Sequence, residues 1–347
     1  MITKRRGELY EIVERILVTA GADAENAATV AEHLVRANLS GVDTHGVYHV
    51  AGYVDAIKKE ELLPAAKPEM IKQGGSQVLV SGNWTFGQVA AKFATEQAIE
   101  LARAHGIAIA GLVRTHHIGR LGHFTEMAAE AGMLSMVWAG GFGEVAPAAT
   151  PYGGRERWLH TNPISMGFPA GKETPVMFDF ATTAISGVKV NNARRDGRAL
   201  PPGCIVDREG NPTTDPEDFF NGGGHVAFGA HKGYSLMMAA EILGRIFTNS
   251  DAYVEQHRAG PIMSHQGVTI IVMKADLFQD IDDYQRRADE LQQRTRAIAP
   301  ATGFDEVLVP GDPEVRTRAA RQRDGIPLDD ALWQQIVETA ESLRITD

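Results

Sequence analysis

The chain carries 347 residues, 44% of them hydrophobic and 22% charged, enough apolar sequence to bury a large core spread over two or three lobes. Its formal net charge of -10 excludes a general nucleic-acid or membrane-surface role, because such binding needs a basic field, and it leaves any small anionic substrate dependent on local cations. The single cysteine, Cys204 in the turn Pro201-Pro202-Gly203-Cys204, excludes an internal disulfide and a thiolate metal cluster. With a charged start and no run of about 18 apolar residues, the expectation is a cytoplasmic protein that stays out of membranes.

Residues 8–39 carry apolar side chains at helical spacing: Ile12, Val13, Ile16 and Leu17, then Ala27, Val30, Ala31, Leu34 and Val35. The pattern breaks at Gly21 and restarts at Asp23, which predicts a helical hairpin. A third helix begins near Val47 and turns Tyr53, Val54 and Ile57 inward; Pro64 and Pro68 end the region and make a hinge. Types then alternate: strand 77–80, helix 88–105, buried strand 107–113, helix 123–130 and strand 134–139. Further strands are expected at 164–168, 176–180 and 268–273, and helices at 234–246 and 286–294. Such alternation implies an α/β sheet covered by helices. The segment 313–343 reads as helical and packs back on the first helices. The division is therefore a helical domain from residues 1–70 with 313–347, and a central α/β domain from 71–312.

A dinucleotide enzyme of the common kind shows a glycine fingerprint after a strand, and Gly141-Phe142-Gly143-Glu144-Val145-Ala146 formally satisfies it. Pro147 and Pro151 follow at once, so no helix can begin there to face a pyrophosphate, and no acidic residue stands about 20 positions on. The stretch reads as a glycine loop at a strand end, and any dinucleotide needs a different scaffold. Histidine is the richer signal. Asp43-Thr44-His45-Gly46 sets a hydroxyl beside an imidazole, and Thr115-His116-His117-Ile118-Gly119-Arg120 follows a buried strand. An imidazole that titrates near neutrality can take a hydroxyl proton as hydride leaves the same carbon; the alternative is a hydrogen-bonded turn residue. His45 and His49 have the i, i+4 spacing of zinc ligands but no general-base glutamate between them, and adjacent His116 and His117 rarely reach one ion, so no metal is expected. Gly229-Ala230-His231-Lys232-Gly233-Tyr234 opens a helix with a lysine and free N–H groups, which suits a phosphate.

With Leu159-His160-Thr161-Asn162-Pro163 and Phe178-Asp179-Phe180-Ala181-Thr182, these stretches resemble the malate/L-lactate dehydrogenase family, which is distinct from the Rossmann lactate and malate dehydrogenases. The resemblance runs the whole chain. It is closest to the bacterial hydroxycarboxylate dehydrogenase subgroup through Asn38-Leu39-Ser40-Gly41-Val42-Asp43-Thr44-His45-Gly46, the His116-His117 string, the Pro201 to Cys204 turn and Val309-Pro310-Gly311-Asp312. The resemblance implies a homodimer whose central mixed sheet binds NAD or NADP without the glycine fingerprint, flanked by a helical domain built from the chain ends. It places a catalytic histidine on His45, with Thr44 where the family has serine, and a proton acceptor of other members on His117. Cofactor contacts fall on His117, Ile118, Gly119, Arg120 and Leu121, on Asp179, Phe180 and Ala181, on His231 and Lys232, and on Pro310, Gly311 and Asp312; Thr161 is implied as a substrate contact.

Two departures from the family pattern bear on the substrate site. The arginine that anchors a substrate carboxylate in many members is His49 here, which removes a bidentate fork. The aspartate that imine-reducing members pair with the histidine falls on Lys189, as in the hydroxy-acid branch, and His49 and Lys189 are carried with Thr161 as expected substrate contacts. The expectation is an NAD(P)-dependent 2-hydroxycarboxylate dehydrogenase acting on a small 2-oxo or 2-hydroxy acid. A ketimine (cyclic imine acid) reductase, a metal-dependent hydrolase and a non-catalytic binding module are the alternatives. His45 is preferred over His117 as the proton carrier, because it follows a hydroxyl and precedes a glycine that leaves room for a ligand.

Overall fold

The computed structural model describes residues 1–141, 147–258, 260 and 265–345. It opens with a short strand, β1 (Ile2–Lys4), and the helical hairpin α1 (Arg6–Thr19) and α2 (Ala24–Leu39). The hairpin bends where Gly21 takes φ +109°, and Asp23 restarts the helix by accepting the Asn26 N–H at 3.0 Å. Helix α3 (Val50–Lys58) buries Tyr53 and Val54. Pro64 is no free hinge: Asn26 Nδ2 donates to the carbonyls of Pro64 and Ala66 at 2.8 and 3.0 Å, and Lys67 pairs with Asp23 and Glu25.

A seven-stranded sheet follows, built from β2 (Glu69–Gln73), β3 (Gln77–Ser81), β4 (Ile107–Thr115), β5 (Met133–Gly140), β6 (Ile164–Phe168), β7 (Val176–Phe180) and β11 (Gln266–Lys274). The order is β2-β3-β4-β11-β5-β6-β7; β3 and β4 run parallel and every other pair antiparallel, so the sheet is mixed. On one face Val137, Ala139, Val268 and Ile270 meet the alanine stripe of α4 (Gly87–His105) and Phe124 of α5 (Gly122–Glu130). Alternation along each strand sends Trp138 and Ile164 to the opposite face, against Ala240 and Leu243. The exposed run β2 has no apolar alternation, which is why its sequence does not announce a strand.

A small lobe of helix α6 (Gly187–Arg195), β8 (Ile205–Val206), β9 (Pro212–Thr213), helix α7 (Pro216–Phe220) and β10 (Gly224–His225) closes around Val190, Leu200, Cys204 and Ile205. Its two-residue strands are too short to leave a period in the sequence. Helix α8 (His231–Glu241) runs on through a π turn at Ile242–Ile246, and helix α9 (Ile281–Arg296) is longer than its apolar pattern suggests.

The C-terminal segment is not one helix. Helix α10 (Asp312–Asp324) stops at Gly325, φ +97°; β12 (Ile326–Leu328) then pairs antiparallel with β1 before α11 (Asp330–Ser342) begins behind its Asp329 cap. Pro327 and the left-handed glycine break the helix where charge patterning alone predicts continuity. Ile326, Leu328 and Ile336 share one core with Leu9, Ile16, Val30, Leu34 and Tyr53. Phe86 and Val89, beside and within α4, enter that core as well.

Candidate active site

Stretches far apart in sequence bring four imidazoles together in one cluster. The turn bearing Thr44 and His45 is held by Asn38, whose Oδ1 accepts the Val47 N–H at 2.8 Å and whose Nδ2 donates to Asp43 at 2.7 Å, and by Arg321, which bridges Asp43 at 2.6 and 3.0 Å. A Cβ at Gly46 would lie 2.1 Å from Asn38 Oδ1, so this glycine makes room for Asn38 and not for a ligand. His117, just past the end of β4, stacks on His45 with ring centroids 5.6 Å apart and packs against His49 at 4.4 Å. His160 is close enough to lower the basicity of His117, and its Nδ1 lies 3.1 Å from Thr161 Oγ1. All four rings are half-buried.

Burial holds these imidazoles neutral. His45, His49 and His160 are pushed down to about 4 and His117 lies well below its usual value, all from burial first; the Arg120 guanidinium adds to it at His45 and neighbouring imidazoles add to it at His49 and His117. His49 spends its one N–H on the Thr44 carbonyl, 2.9 Å from Nε2. The substrate contact expected at His49 therefore finds neither a cation nor a spare donor on this ring. Thr44 Oγ1 lies 3.1 Å from His45 Nδ1, so Thr44 orients the ring.

A second set of stretches meets along β7. Asp179 is enclosed and accepts the Gly122 N–H at 2.7 Å; burial raises its carboxyl above the usual range. Phe180 stays 39% exposed, stacked on Phe178 and edge-on to Phe228, which leads directly into His231 and Lys232 at the start of α8. The Met177 N–H donates to the Pro310 carbonyl, which seats the Pro310-Gly311 turn on the same strand, and Ala181 is half-buried beside it. Thr182 donates its N–H and hydroxyl to the Thr161 carbonyl, joining this edge to the histidines.

Several expected contacts are not available to a ligand through their side chains. Ile118 and Leu121 are buried in the sheet core, and Arg120, 2% exposed, pairs with Glu126 at 3.0 Å while its backbone N–H donates to His33. Gly119 takes φ +77°, where a Cβ would lie 2.3 Å from His33 Nε2. The Asp312 carboxylate is consumed by Arg296, at 2.8 and 3.0 Å, and by the Val309 N–H. Lys189 is exposed on α6 with its charge felt at Cys204, and no contact among the described residues carries it to the imidazoles. The rejected fingerprint lies largely outside the described residues, with only Gly141 inside them.

What remains suits a nicotinamide dinucleotide. Lys232 stands exposed on the first turn of an eleven-residue helix, whose positive dipole end and lysine charge suit a phosphate, and Phe180 offers an open aromatic face for a ring. Ala230 precedes the helix at φ 56°, ψ -128°, a conformation rarely held by a residue with a side chain. The family model described as malate/L-lactate dehydrogenase matches residues 5–337. The chain belongs to this family.

It is 34% identical over 338 residues to hydroxycarboxylate dehydrogenase B of Escherichia coli (strain K12), spanning 96% of this chain and 92% of that one. Among solved structures it is similar to sulfolactate dehydrogenase from Methanocaldococcus jannaschii, with TM-score 0.89 and 29% identity over 99% and 98% of the two chains. It is also similar to delta1-piperideine-2-carboxylate reductase from Pseudomonas syringae pvar. tomato, with TM-score 0.86 and 29% identity over 98% and 100%. As a member of the malate/L-lactate dehydrogenase family the chain is an oxidoreductase that uses a nicotinamide cofactor. Membership explains the absence of a Rossmann turn but not the roles of Tyr53, Gln88 and His160. Reading the sequence assigned Tyr53 to the core and gave the other two no role, because only tertiary packing brings Tyr53 and Gln88 to His117.

Proposed function

We propose that this chain reduces small 2-oxo acids to 2-hydroxycarboxylates and catalyses the reverse oxidation, at the cluster of His45, His117 and Thr161. The observation that carries the reading is the neutral, stacked imidazole pair His45 and His117, connected through His160 and Thr161 to the dinucleotide-suited edge of β7. Bound NADH or NADPH supplies the hydride. The chain supplies what remains: a proton for the carbonyl oxygen, a donor that holds the developing charge, and walls that keep water away. An imidazole that is neutral in the free protein is ready to accept the hydroxyl proton in the oxidative direction. Thr161, His45 and His117 are the proposed substrate contacts, and Phe180, Ala181, His231, Lys232 and the Pro310-Gly311 turn the proposed cofactor contacts.

A homodimer, a cytoplasmic location and the division into a terminal helical domain and a central α/β domain belong to the same reading. The exposed apolar side chains of Ile242, Ile246 and Phe247 supply a self-association face, and the buried, unpaired Cys204 suits a reducing compartment. No helix among the described residues is long and apolar enough to cross a membrane.

The test is a panel of 2-oxo acids and one cyclic imine acid, each offered with NADH and with NADPH and followed by nicotinamide absorbance. Turnover of open 2-oxo acids is expected. Turnover of the cyclic imine alone would assign the chain to imine reduction, and the preferred cofactor is read from the same plate.

A further inference from the structure

The Nδ1 side of His117 is engaged by two buried residues. Tyr53 places its hydroxyl 2.9 Å from His117 Nδ1, and Gln88 Nε2 donates to that hydroxyl oxygen at 2.5 Å. Both residues are 1% exposed, Tyr53 on α3 and Gln88 on α4, so bulk solvent does not reach them. A phenol has one proton to give. With the Gln88 amide turned so that Nε2 donates to this oxygen, an orientation that leaves Gln88 Oε1 without a partner among the described residues, the acceptor within reach of the Tyr53 O–H is Nδ1, and the proton of a neutral His117 then sits on Nε2. No described group bonds that Nε2, and His117 is half-buried rather than enclosed.

His45 is held differently. Its Nδ1 meets the Thr44 hydroxyl, which can either give or accept, so His45 can gain and lose a proton without leaving a buried donor facing a donor. Protonating His117 would set its Nδ1–H against the Tyr53 O–H, beside the imidazoles of His45, His49 and His160, with the Arg120 guanidinium beyond His45. The two stacked rings are therefore not equivalent.

We propose that Tyr53 and Gln88 are positioning residues that lock His117 as the neutral Nε2–H tautomer, a fixed hydrogen-bond donor to the substrate oxygen, and so leave the transferable proton to His45. This rests on the reading that the imidazole pair is the reacting site. In reduction the His45 N–H proton passes to the carbonyl oxygen as the new C–H bond forms, and His45 is left neutral. His117 keeps its own proton throughout; the oxidative direction reverses each movement.

The first test needs no variant. Long-range nitrogen correlations in the whole protein labelled with 15N-histidine are expected to show His117 as the Nε2–H tautomer near neutral pH, and an Nδ1–H tautomer or an imidazolium would overturn the proposal. Tyr53→Phe keeps the ring in its core and removes the hydroxyl. It is expected to mix the tautomers and lower kcat about tenfold with cofactor binding unchanged, a fraction of what losing a whole oxyanion donor does. Gln88→Glu offers the Tyr53 O–H an acceptor, so the His117 proton should move to Nδ1 and kcat should fall. His117→Gln, which retains an N–H donor, is expected to keep about a tenth of the turnover, and His45→Gln far less. An unchanged His117 spectrum and kcat in Tyr53→Phe refutes the proposal. If the wild-type protein consumes neither NADH nor NADPH with any 2-oxo acid, the functional reading fails instead, and the spectrum still decides the tautomer.

Discussion

Glu126 is the point where both chain ends are tied to the active-site loop, and its replacement by glutamine should show how much that tie contributes. Its carboxylate, 11% exposed, meets Arg36 of α2 at 2.9 Å, Arg120 of the His117 loop at 3.0 Å and Arg318 of α10 at 2.8 Å. These guanidinium groups outweigh the cost of burial and hold the Glu126 carboxyl down at about 2, against 4.5 in the open chain. That difference corresponds to about 3 kcal/mol at neutral pH, within the usual cost of removing one partner of a buried ion pair. For 347 residues this should lower Tm by about 4 °C. The folded-state value is depressed, so the stabilisation is full above 4.5 and is lost as pH falls toward 2. The gap between wild type and Glu126→Gln in urea unfolding should therefore narrow by about 1.4 kcal/mol between about pH 7 and about pH 3.5. The buried histidines remote from Glu126 destabilise both proteins alike in acid and cancel in the difference; His123, whose basicity Glu126 raises, does not cancel and slightly offsets the narrowing. A Tm change below about 1 °C, or a gap that does not narrow, would refute the reasoning.

His45→Ala should lower kcat by about 100-fold, with NADH binding followed by fluorescence little changed and the folded fraction matched by circular dichroism; near-normal turnover would remove His45 from proton transfer. Lys232→Ala should weaken the apparent cofactor affinity about tenfold and leave the KM for the 2-oxo acid in place, since a charge-assisted phosphate contact contributes about 1.5 to 3 kcal/mol. With His45 neutral above about 4, kcat/KM for oxidation should stay level from mildly acidic to neutral pH. In the same range kcat/KM for reduction should fall with rising pH, and an oxidative limb near neutrality would contradict the depressed imidazole. Activity should survive exhaustive dialysis against a strong chelator, since an imidazole N–H polarises the carbonyl in this mechanism; loss restored by zinc would return the chain to the hydrolase reading.

Local pattern settled the hairpin of α1 and α2, the buried strand β4, the alanine stripe of α4 and the rejection of a Rossmann turn, because each depends on residues within a few positions of one another. The strings around His45, His117, Thr161 and Lys232 were legible for the same reason. Their joint meaning was not: His45 reaches His117, Met177 reaches Pro310 and Thr182 reaches Thr161 only after β11 inserts between β4 and β5 and the C-terminal segment returns to pair β12 with β1. Gly46 shows the limit well. The sequence places a glycine beside a histidine, but only the fold shows that Asn38 fills the space. Likewise His49 is an imidazole in either view, and its lack of a spare donor follows from the Thr44 carbonyl that takes its N–H. Backbone propensity and amphipathic period are local properties and can be read in order along the chain. Burial, tautomer and hydrogen-bond partner are set by neighbours that contact between distant segments supplies, and these decide which of the twelve histidines can do chemistry.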